Sequence, residues 1–143
     1  MEAEVGVVLR GVGGIYNVQD AAGKTIRCYP RGRIKQQELV ILAGDKVRYT
    51  VIGGNEGVIE AVLPRSTVLP RPAVANIEQL IVVGACASPE PQPVFIDRLL
   101  VLAESRKIHP IICLNKIDLV SESVPEELST IYEKVGYQVL RCS

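Results

Sequence analysis

Apolar and polar positions change rhythm once along this chain, near residue 76. Before that point the apolar residues come in short runs broken by turn-forming clusters. "EVGVVLR" alternates loosely and stops at "GVGG". "IYNVQ", the polar turn "DAAGK" and "TIRCY" then read as a hairpin, with Gly23 available for a positive-φ position. "DKVRYTVI" alternates cleanly: Val47, Tyr49 and Val51 face one way, Lys46, Arg48 and Thr50 the other. "GGNEG" is a turn and "VIEAVL" a further strand. "PRSTVLPRPAVAN", Pro64 to Asn76, carries three prolines and reads as a linker.

Five short strands without a strong helix predict a small barrel or sandwich. The OB-fold suits them, because five strands close most of their edges in it. Beyond the linker, "QLIVVGA" is a continuous apolar run, which predicts a strand covered on both faces. "VFIDRLLVLAESRKI" places Ile96, Leu99, Leu100 and Ala103 on one helix face. "PIICLN" is a second buried strand. "PEELSTIYEKV" is a second helix: Pro125 and two glutamates suit its start, Leu128, Ile131, Tyr132 and Val135 form its apolar stripe, and Gly136 can end it. "YQVLRC" is a third strand. Strand, helix, strand, helix, strand predicts a parallel α/β sheet with right-handed crossovers. The expected division is a barrel over 1–68, a linker over 69–76 and an α/β part over 77–143.

Composition adds constraints. Hydrophobic residues are 48% and aromatics only 4%, so the cores must be aliphatic. No run approaches the roughly 18 apolar residues of a membrane span. The start, "MEAEVGVVLR", lacks the basic-then-apolar order of a signal peptide, so the expected location is the cytoplasm, with no membrane partner. Cys28, Cys86, Cys113 and Cys142 have no metal-ligand spacing, and the only histidine is His109; no metal site is expected in this chain. Net charge is zero, yet residues 1–72 hold ten Lys/Arg against seven Asp/Glu, and residues 73–143 hold six against nine. The first part is therefore the better match for a polyanion.

The sharpest chemical signal is Asn115-Lys116-Ile117-Asp118, directly after the strand "PIICL". Ligands of parallel α/β sheets bind beyond the carboxyl ends of the strands. A carboxylate at Asp118 can accept from the N1–H and the exocyclic amine of guanine, a donor pair that adenine lacks. Asn115 can donate an amide hydrogen to the base edge. Lys116 can lay its methylenes along the base plane and keep its ammonium in water. Read plainly, the same four residues are an ordinary polar loop after a strand. A phosphate-binding G-x-x-x-x-G-K-[ST] loop is expected with such a base reader. The one partial match, Gly23-Lys24-Thr25, has Val18 where the first glycine belongs, and it leads into a strand rather than a helix.

In this order the blocks resemble a known family, the circularly permuted, ribosome-small-subunit-dependent GTPases (RsgA, also called YjeQ or EngC). The marks are "RGRIK" at 31–35, "GDKV" at 44–47, "LPRPAVANIEQLIVV" at 69–83, "FIDRLLVLAE" at 95–104 and "PIICLNKIDLV" at 110–120. In that family the guanine motif precedes the phosphate loop, an OB domain comes first and a zinc-binding domain comes last. The resemblance implies GTP hydrolysis stimulated by the 30S subunit, a role in its late maturation, and contact of the OB domain with 16S rRNA. By position it assigns the guanine nucleotide (GTP or GDP) to Asn115, Lys116, Ile117 and Asp118. Ser143 looks like the start of the second base-contacting motif. No catalytic residue, magnesium ligand or zinc ligand of the family has a counterpart here, so Mg2+ and structural Zn2+ are expected only from further sequence. The chain is expected to be a piece of a longer, monomeric protein and inactive alone. The rival expectation is a non-enzymatic OB module with a vestigial guanine loop.

The expected RNA surface comprises Arg31, Arg33 and Lys35 after the third strand, with Arg27, Lys46 and Arg48 on polar strand faces. A solvated charged loop is the plain alternative. Tyr16, Tyr29 and Tyr49 are the only aromatics of the barrel, so recognition by shape and phosphate is expected over base stacking.

Overall fold

The computed structural model describes residues 2–37 and 39–143. The chain divides into two compact units, Met1–Ile77 and Glu78–Ser143.

The first unit is a closed barrel of five strands: β1 (Glu4–Val12), β2 (Ile15–Gln19), β3 (Thr25–Pro30), β4 (Lys46–Gly53) and β5 (Glu56–Val62), in the order β1-β2-β3-β5-β4. Alternation makes the core. Val8, Val18, Ile26, Cys28, Val47, Tyr49 and Ile59 point inward and are buried, while Lys46, Arg48 and Arg27 point out. Closure leaves no free strand edge. Between β3 and β4 the "RGRIK" stretch, expected as a basic cluster after the third strand, is a short helix, α1 (Gly32–Gln36). Its single apolar residue, Ile34, is buried against the barrel core, and one apolar residue carries no helical period to read.

The "GDKV" block has a structural cause. Asp45 is fully buried and takes Arg65 in a two-pronged pair, Nε to Oδ1 and Nη2 to Oδ2, each at 2.8 Å. Asp45 Oδ2 also accepts the Leu42 N–H at 2.7 Å. The carboxylate raises the Arg65 pKa still further, through the hydrogen bond first. Gly44 has φ +89°, and a Cβ there would lie 2.0 Å from the Ala75 carbonyl oxygen, so only glycine fits.

The proline-rich stretch expected to act as a linker holds a two-stranded hairpin, β6 (Val68–Pro70) and β7 (Ala73–Ala75). Leu69 and Ala75 are buried. The Ala75 N–H donates to Ala43 O at 2.9 Å, and the Asn76 amide donates to Gly44 O at 2.9 Å. The hairpin is thus fastened to the first unit, where Pro70 and Pro72 sit at its strand end and turn, positions that need no ladder donor.

The second unit is a parallel three-stranded sheet, β8 (Gln79–Ala85), β9 (His109–Asn115) and β10 (Gln138–Arg141), in the order β10-β9-β8. Two helices connect the strands, α2 (Pro93–Ser105) and α3 (Ser123–Lys134). Val82, Ile112 and Leu114 share one core with Ile96 and Leu100 of α2 and Leu128 and Tyr132 of α3, so both helices cover the same sheet face. Two expectations are corrected here. The run "QLIVVGA" is covered on one face only: Val82 is buried, but Ile81 is 58% and Val83 54% exposed. The apolar stripe of α3 is turned as well, with Pro125, Leu128, Ser129 and Tyr132 buried while Ile131 and Val135 are 53% and 70% exposed. Gly136 does end that helix. At φ +98° it lets its N–H reach Glu133 O at 3.0 Å and lets the Tyr137 N–H reach Tyr132 O at 3.1 Å, a Schellman closure.

Candidate functional site

The carboxyl ends of the second unit's strands carry the Asn115–Asp118 motif that the sequence singled out. Asn115 is the last residue of β9, and its carbonyl accepts the Cys86 N–H at 3.0 Å. Lys116 then takes the left-handed conformation, φ 62° and ψ 34°, which is uncommon for a side chain of its size. That reversal turns the chain into a single 3-10 turn over Ile117–Leu119, with the Leu119 N–H donating to Lys116 O at 3.1 Å. The turn presents Asp118 on its outer side, exposed to solvent.

The residue before Ser143 braces this loop. Cys142 N–H donates to Leu114 O at 2.7 Å, and Cys142 O accepts the Ile117 N–H at 3.2 Å. Asp118 and Ser143, 25 positions apart in the chain, consequently line one pocket of about 340 Å³, together with Ile117 and Arg141. Asn115 and Lys116 line a neighbouring pocket of similar volume, walled by Val83, Ala85, Pro89 and Phe95. These volumes sit at the small end of ligand sites. The Lys116 ammonium donates to the Ser88 carbonyl oxygen in a solvent-exposed hydrogen bond that ties the motif to the loop after β8. Among the described residues no group of three or more His, Cys, Asp or Glu side chains is placed to hold a metal ion, and no chemistry is assigned to one here.

On the barrel, the six basic residues anticipated from the sequence differ in their freedom. Arg31 forms an ion pair with Glu60 of β5, and the Arg33 guanidinium donates to Glu60 O at 3.2 Å. The Arg31 guanidinium holds the Glu60 carboxyl below its ordinary value. Lys35, Arg27, Lys46 and Arg48 are exposed, and none has a carboxylate within ion-pair distance among the described residues. Strand register brings in a residue the sequence reading missed. Arg10 stands opposite Asn17, and Asn17 opposite Arg27, so the three form one row across β1, β2 and β3. The row lines a pocket of about 340 Å³ with Val12 and Ile15 at its end. The signal was hidden by a bulge in β1 between Val8 and Arg10, which resets the alternation at the strand's end.

Two family models match successive parts of the chain and meet near residues 59–62, ahead of the 77/78 boundary between the compact units. The RsgA GTPase family model matches residues 62–143, and that of the RsgA N-terminal domain matches residues 5–59. The chain belongs to the RsgA GTPase family. A "Small ribosomal subunit biogenesis GTPase RsgA" of Caldanaerobacter subterraneus subsp. tengcongensis is 37% identical over 143 residues, covering 100% of this chain and 48% of its own length. A protein of the same name from Moorella thermoacetica is 43% identical over 135 residues, covering 94% of this chain and 46% of its own. Among solved structures, YjeQ from Thermotoga maritima matches with TM-score 0.87 and 34% identity, over 99% of this chain and 52% of that one. YloQ, described as a circularly permuted GTPase, matches with TM-score 0.86 and 31% identity over the same shares. The chain therefore spans about half the length of the RsgA relatives it matches. The fold is that of the family: an OB-like barrel followed by part of a parallel-sheet GTPase domain.

Proposed function

We propose that this chain supplies the RNA-binding barrel and the guanine-reading part of a GTP-hydrolysing factor that matures the small ribosomal subunit. Residues 1–68 form the RNA-binding domain, 69–76 connect it, and 77–143 form the first part of the GTPase domain. Asn115, Lys116, Ile117 and Asp118 read the base, and Ser143 completes the reader. Magnesium accompanies the nucleotide's phosphates, and both magnesium and structural zinc are held by residues outside this sequence. The partner is the 30S subunit through its 16S rRNA, and the protein works as a cytoplasmic monomer. No helix among the described residues is long and apolar enough to cross a membrane.

One observation carries the guanine reading: Asp118 and Ser143 line a single pocket because the backbone of Cys142 is bonded to Leu114 and Ile117. The Arg10–Asn17–Arg27 row, and the barrel cations without an ion-pair partner among the described residues, support phosphate contact. Calorimetric titration of the whole protein with GDP and with ADP tests the reader. GDP should bind at least 100-fold tighter, since a site built for a donor pair rejects a base that lacks it. Equal affinities would remove Asp118 from the role. Asp118→Asn should move the preference toward xanthine nucleotides, because the amide presents a donor where the carboxylate accepted.

A further inference from the structure

Two of the four cysteines meet at the base of the guanine-reading loop. Cys113 lies in β9, two residues before Asn115, and Cys142 follows β10, one residue before Ser143. Their sulfur atoms are 2.7 Å apart, and both side chains are partly accessible. A disulfide needs about 2.05 Å, so a shift well under 1 Å joins them. Cys28 and Cys86 are buried and reduced.

We infer that Cys113 and Cys142 form an oxidisable dithiol, whose disulfide covalently ties the strand before Asn115 to the residue before Ser143. The oxidant is a hydroperoxide. One sulfur of the pair attacks one peroxide oxygen and the O–O bond breaks, giving a sulfenic acid and one water. The other sulfur then attacks that sulfenyl sulfur, the S–O bond breaks, and a second water leaves with the thiol proton. Two thiols are oxidised by two electrons, and hydrogen peroxide is reduced to two waters.

Either sulfur of the pair can donate to the other. That hydrogen bond, then burial, pushes the Cys113 thiol up to about 11. Burial raises the Cys28 thiol to about 11 and raises that of Cys86 as well, which keeps both inert. The position gives the link its consequence. The peptide groups of Cys142 already bond to Leu114 and Ile117, so the disulfide reinforces the joint on which the loop is seated.

Mass spectrometry of this chain after mild hydrogen peroxide treatment tests the inference. The expected product is lighter by about 2 Da, keeps two free thiols, and reverts with a reductant. Trypsin should release the peptide of residues 108–116 linked to the peptide that begins at Cys142. In the oxidised chain, hydrogen exchange at the Ile117 amide should slow tenfold or more. Oxygen adducts on separate cysteines, or scrambled pairs without the 113–142 link, would overturn the inference, as would unchanged exchange at Ile117. Cys142→Ser should abolish the 2 Da loss. If that variant fails to fold, the reversal of the link and of the exchange by reductant in the unsubstituted chain decides the matter.

Discussion

The barrel and the three-stranded sheet solve the same problem of unpaired strand edges in opposite ways. In the barrel every strand has two neighbours and the apolar face turns inward. In the sheet β8 and β10 each have one neighbour, and α2 and α3 cover a single face. The other face leaves Ile81, Val83 and Leu140 exposed among the described residues. Closure makes the barrel's core complete within its own unit, whereas the sheet's helices cover one of its two faces.

That difference should show first in how each unit answers a core substitution. The barrel concentrates risk in one ion pair: Asp45→Ala leaves the Arg65 guanidinium and the Leu42 N–H without their carboxylate. Breaking a buried pair from one side costs about 3–5 kcal/mol. Urea denaturation followed by barrel-specific signals should show that loss, and a change under 1 kcal/mol would end the view of Asp45 as the keystone. In the sheet the two faces should separate. Ile112→Ala, on the covered face, should cost about 2–5 kcal/mol. Ile81→Ala, on the bare face, should cost no more than about 0.5 kcal/mol. Similar losses at both positions would mean that the bare face is buried in solution.

The barrel's outer surface gives a subtler contrast with the sheet's bare face, since it is charged rather than apolar. Replacing Arg10 and Arg27 together by glutamine should weaken binding to small ribosomal subunits and lower the slope of log affinity against log salt by about one to two units. Replacing Arg31 and Arg33 should lower it less, because Glu60 already takes a share of both guanidinium groups. The reverse ranking would return the docking surface to the "RGRIK" helix.

How much of this was readable in the sequence depends on where the information lies. The five barrel strands were legible because each has a wet face, so alternation marks it; Val47, Tyr49 and Val51 against Lys46, Arg48 and Thr50 is the clearest case. The continuous run in β8 predicted cover on both faces, but hydropathy reports what a strand can bury, not what lies against it. The stripe of α3 misled for a related reason. Ile131 and Val135 fit the helical period, yet Pro125 and Ser129 occupy the inward positions. The proposed base-reading loop was legible as four residues in order. That Ser143 shares a pocket with Asp118 is a consequence of parallel pairing between β9 and β10, which sequence spacing does not display. Arg10 was hidden by the bulge, and the partner of Arg31 lies 29 residues away.

The two units should agree in one respect, their response to alkali. Each buries one tyrosine whose hydroxyl donates to a carboxylate: Tyr49 to Glu4 in the barrel and Tyr132 to Asp97 in the sheet, both at 3.0 Å. Burial first, and the carboxylate second, pushes both phenols up to about 12. An unfolded chain releases the same proton near pH 10. The folded state therefore holds the proton more tightly, and the resulting stability is complete below about pH 10 and lost as pH rises toward 12. Urea midpoints measured at pH 9 and pH 11 should fall in both units. Tyr49→Phe should lessen the fall in the barrel alone, leaving the part that the raised Cys28 thiol contributes, and Tyr132→Phe should lessen it in the sheet alone, where the raised Cys113 thiol contributes the rest, each at a cost of about 1 kcal/mol at neutral pH for the lost hydrogen bond. If Tyr49→Phe left the barrel's alkaline fall unchanged, Cys28 would carry it alone, and the parallel between the two phenols would fail.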